Sequence, residues 1–474
     1  MRASIVRATL ASFALIALPE FVLGQTLDRS KPPVAPAPAP FAFPKAQSRT
    51  LPNGLRVILV EDHALPLVAV RASVGVDSLN DPVGKEGLFV LTAGMLREGT
   101  TSMTADQLSA AAAALGNVVF PLRFTTITQN FDGSLGLMAD MLMRPSFPQP
   151  ALDRLKTTLA SNQQRQLQVA ATVPTRIFLA RLFGAEHPLA RTAIASEATM
   201  ASITRDDLQH FHDAYFRPNN TTIIVVGDVR EPDVMSTVAR HFGGWQRGDI
   251  PAGSAALSPA PQPTTIYLLD RPGVQQTYVA VGTLGPARSS PDFAALEVMA
   301  PILGASLGSR LYENLRERHS YMYSGTPAAV TWRRDLMPSV IGGSAAVNSV
   351  KTDSALIEWI AELRGIRERP PTEQEMTLAS GSLTSALPAQ IETDDLLANR
   401  LLSMVQNDVP LDFYDSYGTR IASVTPAAVS AAAAKYIDTS RLVIVVAGDR
   451  KVIEPALRAA NIAPIVIVGE TGKP

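Results

Sequence analysis

Two stretches of this chain, "SITRDDLQHFHDAYFRPNNTTIIVVGD" from Ser202 and "SVTPAAVSAAAAKYIDTSRLVIVVAGD" from Ser423, align without a gap at an offset of 221 residues. Ser202/Ser423, Thr204/Thr425, Tyr215/Tyr436, Ile223/Ile444, Val225/Val446, Gly227/Gly448 and Asp228/Asp449 are identical, and most remaining apolar positions stay apolar. Each copy opens with a threonine at a helix N-cap, Thr204 or Thr425, and the second continues with Pro426 at the first helical position. Each then closes in a β-branched run that stops at Gly-Asp, the pattern of a buried strand. Cap, helix length and strand recurring in one register indicate a duplication. The chain is therefore expected to fold as two similar halves, and its 474 residues exceed what a single core usually fills.

The stretch "GDIPAGSAALSPAPQPTT", ending at Thr265, is rich in Gly, Ala, Ser and Pro and reads as the linker between the copies. The expected division is a signal peptide over 1–24, a Pro/Ala-rich tether over 25–45, a first half over 46–250, a linker over 251–264 and a second half over 265–474. In the first half "LRVILVED" and "PLVAVRASVGV" are strand-like, and "GLFVLTAGMLREGT" reads as an amphipathic helix running into a turn. "TADQLSAAAAALG" offers a Thr104-x-x-Gln107 capping box with Gly116 as a stop. Helices at about 134–143, 150–168 and 173–184 follow before the closing strand. The second half repeats the order with "TIYLLDR", "TYVAVGTLG" and a helix from about Asp292. The expected class is α+β: two homologous halves, each a mostly antiparallel sheet covered by helices on one face.

Charge and cysteine content narrow the chemistry. With 42 basic and 43 acidic residues spread along the chain, net charge is −1, which gives no electrostatic footprint for nucleic acid and leaves proteins or peptides as the expected partners. Cysteine is absent, which excludes disulfides, Cys-based zinc sites and a cysteine nucleophile; six histidines remain as imidazole ligands. Arg2 and Arg7 precede an apolar run from Ala8 to Leu18, too short to span a bilayer, and "PEFVLGQ" follows with small residues before a plausible cut. This is a secretory signal pattern without a membrane anchor, and a secreted chain without cysteine suits a bacterial periplasm.

In the helix over "GLFVLTAGMLREGT", Leu88, Leu91, Thr92, Met95 and Leu96 fall at the spacing of a buried stripe, while Val90, Ala93 and Gly94 occupy the rest of its middle. The order of elements, the duplication, "HPLART" at His187 and "YFRPNNTTIIVVGDV" together resemble the pitrilysin/insulinase family of zinc metallopeptidases, from about Pro44 to Val468. The resemblance implies two α+β halves facing each other around a chamber. It also implies a first-half helix bearing HxxEH, whose two histidines hold zinc and whose glutamate is the general base, with a further glutamate downstream. On this chain the first His position is Val90, the Glu position Ala93 and the second His position Gly94, and the distal glutamate falls near Asn162. Val, Ala and Gly carry no side-chain donor for a metal.

The other histidines do not rebuild a site. His210 and His212, two apart on a helix, are expected in surface or capping roles. His241 and His319 are expected as solvated imidazoles near a strand end and a helix end, and His187 matches a structural loop position of the family. "LGASLGSR" lacks a phosphate-loop lysine and reads as a helix N-terminus with Ser306 near the cap. There is no GxSxG elbow.

In the second half, "SRLYENLRERHSYMYSG" is expected to place Leu307, Leu311 and Leu315 on one helical face, with Tyr321 and Tyr323 alternating along a strand. It resembles the family's second signature, an Arg and a Tyr seven residues apart, mapping onto Arg316 and Tyr323, with Ser320 in place of a usual glycine and Tyr321 as the second claimant. The resemblance implies that these two side chains hold substrate: a guanidinium fork for peptide carbonyls and a hydroxyl for the oxygen on which charge develops. By residue type alone they also suit a solvated helix-end cation and a strand aromatic. The expectation is a non-catalytic subunit of a heterodimeric zinc metallopeptidase, inactive alone, binding no metal itself. A homologous HxxEH-bearing partner supplies zinc and base, and peptides are the substrates. The rival is a peptide-binding or assembly protein with no proteolytic role.

Overall fold

A computed structural model describes residues 41–192, 197–252, 262–334 and 337–473. The expected signal peptide, most of the tether and the centre of the expected linker lie outside the described residues. The first half contributes strands β1 (Gln47–Thr50), β2 (Arg56–Glu61), β3 (Leu67–Val74), β4 (Arg123–Ile127) and β5 (Thr221–Gly227), in the spatial order β1-β2-β5-β3-β4. Only β2 and β5 run parallel; the other pairs are antiparallel. Its helices are α1 (Leu88–Met95), α2 (Ala105–Ala114), α3 (Phe131–Met143), α4 (Gln149–Leu167), α5 (Thr172–Phe183), α6 (Pro188–Thr192), α7 (Glu197–Ser202), α8 (Arg205–Tyr215) and α9 (Glu231–Phe242).

The second half contributes β6 (Thr265–Asp270), β7 (Gln276–Leu284), β8 (Met322–Thr331), β9 (Val340–Asn348), β10 (Val443–Gly448) and β11 (Ile465–Val468), in the order β11-β6-β10-β7-β9-β8. Its helices are α10 (Phe293–Ala300), α11 (Arg310–Tyr312), α12 (Thr352–Glu368), α13 (Glu373–Ser385), α14 (Asp394–Gln406), α15 (Tyr417–Ala422), α16 (Pro426–Tyr436) and α17 (Arg450–Ala460). The duplication is faithful. Helix α8 starts at Arg205 and α16 at Pro426, 221 apart, and both N-cap threonines accept from the third backbone N–H of their helix. Thr104 and Gln107 form the expected capping box on α2, and Gly116 takes the left-handed conformation that ends it.

One expectation about the sheets needs correction: each is covered on both faces. In the first sheet Val57, Leu59, Val70 and Val225 face their own half's core with Leu91, Met95 and Met138. The alternate residues Ile58, Val60, Ala69, Ile224 and Val226 meet Leu397, Ala398, Leu401 and Met404 of α14, a helix of the second half. Reciprocally, Leu269, Ala280, Val445 and Ala447 of the second sheet meet Val173, Ile177, Phe178 and Leu182 of α5, a helix of the first half. Helices α5 and α14 begin at Thr172 and Asp394, 222 residues apart, so they are the same repeat element lent in each direction.

The physical reason is in the strands themselves. β5 is buried at all seven positions, and an uninterrupted apolar run is what a strand covered on both faces requires. Polar ties reinforce the exchange. Buried Arg71 of β3 donates to Asp395 (2.5 Å) and Asn399 (2.7 Å) of α14, and the C-terminal segment holds α5 through Arg176 to the Glu470 carbonyl and Arg181 to the Gly472 carbonyl, both 2.6 Å. The space left between the halves is a cleft of about 820 Å³ near the end of α14.

Candidate functional site

Helix α1 starts where the chain turns at Gly87, whose φ of 103° lies in the left-handed region. Its N-terminus is closed by the buried carboxylate of Asp81, which accepts from the Gly87 and Phe89 N–H groups at 2.8 Å each. Burial pushes the Asp81 carboxyl up to about 6, against the pull of those two hydrogen bonds. Next to it Glu86 and Arg191 form a shielded ion pair at 2.9 Å. The expected stripe is buried: Leu88, Leu91, Thr92, Met95 and Leu96. Val90, Ala93 and Gly94 lie together on the opposite face, with Val90 exposed.

That face is chemically empty, and at Gly94 it is packed over. The nearest heavy atom to a Cβ built on Gly94 is a terminal methyl of Leu155 from α4, at 2.9 Å, so an imidazole at this position would have to displace it. Asn162 lies one turn from the end of α4 and accepts from Arg165. Among the described residues no three His, Asp or Glu side chains gather as a metal site.

The histidines behave as packing and surface groups, with two corrections. His212 is a core residue: its Nε2 donates to the Leu142 carbonyl at 2.9 Å, its ring stacks on Phe216, and burial lowers its pKa. His210 on the same helix is exposed, so a spacing of two does separate their environments. His241 belongs to the last turn of α9, where it bonds Asp132 at 2.8 Å. His187 is buried before α6, accepting from the Leu189 N–H at 3.1 Å, and burial followed by Arg333 and Arg191 lowers its pKa.

The second signature is brought together. Helix α11 widens after Tyr312 into π-type turns over Glu313–Arg318. The end is a wide left-handed closure: the Tyr321 N–H reaches the Leu315 carbonyl, six residues back, at 2.7 Å and the Ser320 N–H the Arg316 carbonyl, four back, at 3.0 Å. Ser320 occupies the left-handed position of that motif at φ 52°, a place glycine would take without steric cost. The reversal returns β8 over the helix end, and the Arg316 guanidinium carbon lies 5.6 Å from the Tyr323 ring centroid. Tyr323 is 74% exposed, and Tyr321 instead stacks on His319 and leans on the core.

The helix carrying Arg316 is fixed at several points. Arg310 makes a forked pair with Glu375 at 2.6 and 3.0 Å, Asn314 is buried and donates to Glu358 and Glu362, and the Tyr312 hydroxyl donates to the Gly325 carbonyl. Leu311 and Leu315 are fully buried, whereas Leu307 is exposed ahead of the helix; the N-cap is Ser309, and Ser306 donates to the Pro301 carbonyl instead. The expected face was one turn too long because the helix begins only at Arg310, after the Ser309 cap, which leaves Leu307 outside it. Arg316 and Tyr323 share a depression of about 610 Å³ with Gln275, Gln276 and Asn348, lined by second-half residues only, so α1 does not meet them there.

Two sheet-and-helix halves with exchanged helices, an apolar α1 face and an Arg/Tyr depression define a class of protein, the M16 peptidase fold. Residues 202–383 match the peptidase M16 inactive domain. An uncharacterized zinc protease of Mycobacterium leprae is 25% identical over 365 residues, covering 74% of this chain and 80% of that protein. The non-peptidase homolog YmxG of Helicobacter pylori is 26% identical over 379 residues, covering 75% and 83%. Among solved structures, a peptidase M16 inactive domain from Pseudomonas fluorescens superposes with a TM-score of 0.75 at 23% identity, over 85% of this chain and 98% of that one. The resemblance to the pitrilysin/insulinase zinc metallopeptidases is borne out by the match of residues 202–383 to the M16 inactive domain and by the shared fold.

Proposed function

We propose that this chain is the non-catalytic, substrate-holding subunit of a two-chain zinc peptidase of the periplasm. A separate HxxEH-bearing homologue supplies zinc and the general base, and peptides are cleaved between them. The observation that carries the reading is an asymmetry: Val90, Ala93 and Gly94 leave α1 without a donor and Leu155 packs on it, while Arg316 and Tyr323 are held side by side and open to solvent. The existence of a relative named a non-peptidase homolog supports the same reading.

In this reading the Arg316 guanidinium donates to substrate backbone carbonyls and fixes the peptide's direction, while the Tyr323 hydroxyl donates to the carbonyl oxygen as negative charge develops on it. Stacking of the guanidinium on the ring restrains both side chains before substrate arrives. The test is a quenched-peptide assay with zinc, using the chain alone, a homologous HxxEH subunit alone, and the mixture. Turnover is expected in the mixture, reduced about 100-fold by Tyr323→Phe, the range for a transition-state donor, and about 10-fold by Arg316→Ala, which loses a substrate-positioning contact. Turnover by the chain alone would refute the reading. A mixture no faster than the HxxEH subunit alone would favour a peptide-binding or assembly role without proteolysis.

A further inference from the structure

The cleft between the halves carries a second set of groups that no part of the peptidase reading uses. On its first-half side β2, β5 and β3 set Arg56, Thr222 and Ser73 in one cross-strand row, because Arg56 pairs with Thr222 and Thr222 with Ser73. The row shares its sheet face with Ile58, Ile224 and Ala69 and lies where α14 runs out. Ser73 is 7% exposed and Thr222 8% exposed, and neither hydroxyl has a hydrogen-bond partner among the described residues. Both hydroxyls open onto the cleft with their hydrogen-bonding capacity unused by the protein, so they are free to meet a group that enters it.

The second half faces them with two consecutive guanidiniums that differ in circumstance. Arg334 is neutralised by Asp77 at 2.7 Å. Arg333 has no carboxylate or hydrogen-bond partner among the described residues; its Nε is shut away from solvent, and its guanidinium carbon lies 5.5 Å from the Phe183 ring centroid. Burial lowers the pKa of Arg333, the sign of a cation held at a cost. With the Arg334 pair set aside, Arg56 and Arg333 confront only Asp408 among the charged groups lining the cleft.

We propose that this cleft binds the free carboxylate end of a short peptide, with Arg333 as the fork, the Ser73 and Thr222 hydroxyls as further donors and Arg56 as a supporting charge. An Arg fork matches a carboxylate in geometry as well as charge. The Asn407 and Asp408 side chains, on the same cleft, supply acceptors for the N–H groups that a peptide has and a bare oxyanion lacks. The volume accommodates a few residues. The inference does not rest on Arg316 or Tyr323, which line a different depression.

Isothermal titration of the full chain with trialanine, its C-terminal amide and inorganic phosphate tests it, with no partner subunit present. The free acid is expected to bind at least tenfold more tightly than the amide. Arg333→Leu is expected to lose at least tenfold, and the Ser73→Ala, Thr222→Val pair several-fold, with far-UV dichroism unchanged. If Arg333→Leu does not fold, the hydroxyl pair alone decides. Equal binding of acid and amide, no binding of the acid, or binding indifferent to these substitutions would overturn the proposal. Phosphate binding as tightly as the free acid would overturn the peptide assignment and leave a small-anion site.

Discussion

Replacing Leu401 by alanine should destabilise the half of the molecule to which Leu401 does not belong. The side chain is fully buried, and the surface it covers is the first sheet's outer face, Ile58, Val60, Ala69, Ile224 and Val226. Loss of its transfer free energy accounts for about 2 kcal/mol, and the cavity left between a rigid sheet and a helix pinned by Arg71 to Asp395 and Asn399 adds to it, for a total of about 3 kcal/mol. The reciprocal change, Ile177→Ala on α5 against the second sheet, should cost a similar amount. Because each half completes the other's core, urea unfolding should be one cooperative transition that both substitutions shift, additively in the double variant, the two sites lying on different sheets. Two transitions, each moved by only one of the substitutions, or a cost below about 1 kcal/mol for Leu401→Ala, would refute the exchange of helices as the basis of stability.

Other consequences are quicker to check. Ser320→Gly removes a left-handed serine at φ 52° and should stabilise the fold by about 1 kcal/mol in urea melts, less the entropy glycine adds to the unfolded chain. Glu375, held down to about 2 chiefly by its hydrogen bond from Arg310, lies below its ordinary value when folded. Its contribution is therefore complete above about pH 4.5 and lost as pH falls towards 2; Glu375→Gln should cost about 1–2 kcal/mol at pH 7 and almost nothing at pH 2, the side chain being partly exposed. Asp81, raised to about 6 by burial, has the opposite sign: it favours the unfolded state above pH 6 and stops doing so as pH falls towards 4, so Asp81→Asn should gain on the wild type as pH rises across that window.

The duplication was the most legible feature because it lives in local chemistry. A threonine cap, a helix of fixed length and a β-branched strand are written into contiguous residues; α8 and α16 follow them residue for residue, and β5 and β10 end at equivalent glycines. The emptied α1 face was legible for the same reason, since Val90, Ala93 and Gly94 needed only a helical register. What the sequence could not display were contacts between distant segments. The uninterrupted Ile223–Val226 and Ile444–Ala447 runs marked buried strands, but only one covered face was expected, because nothing local said that a helix of the other half would cover the second. Likewise His212 sits two residues from exposed His210, and contacts with the Leu142 carbonyl, 70 residues away, and the Phe147 ring make it a core group. Helix α11 begins only at Arg310, which leaves Leu307 ahead of it, while the seven-residue step from Arg316 to Tyr323 survived because the reversal through Ser320 lies between them.

The central claim is that α1 is the family's metal helix with its ligands removed. Zinc uptake by the purified chain, measured side by side with a variant carrying Val90→His, Ala93→Glu, Gly94→His, Asn162→Glu and Leu155→Ala, tests it most directly. Well under one equivalent is expected for the wild type and about one for the rebuilt chain, since two histidines one turn apart on a single helix face and the carboxylate at 162 supply the three ligands an open zinc site takes once Leu155 is cleared. One equivalent of tightly held zinc on the wild-type chain would contradict it.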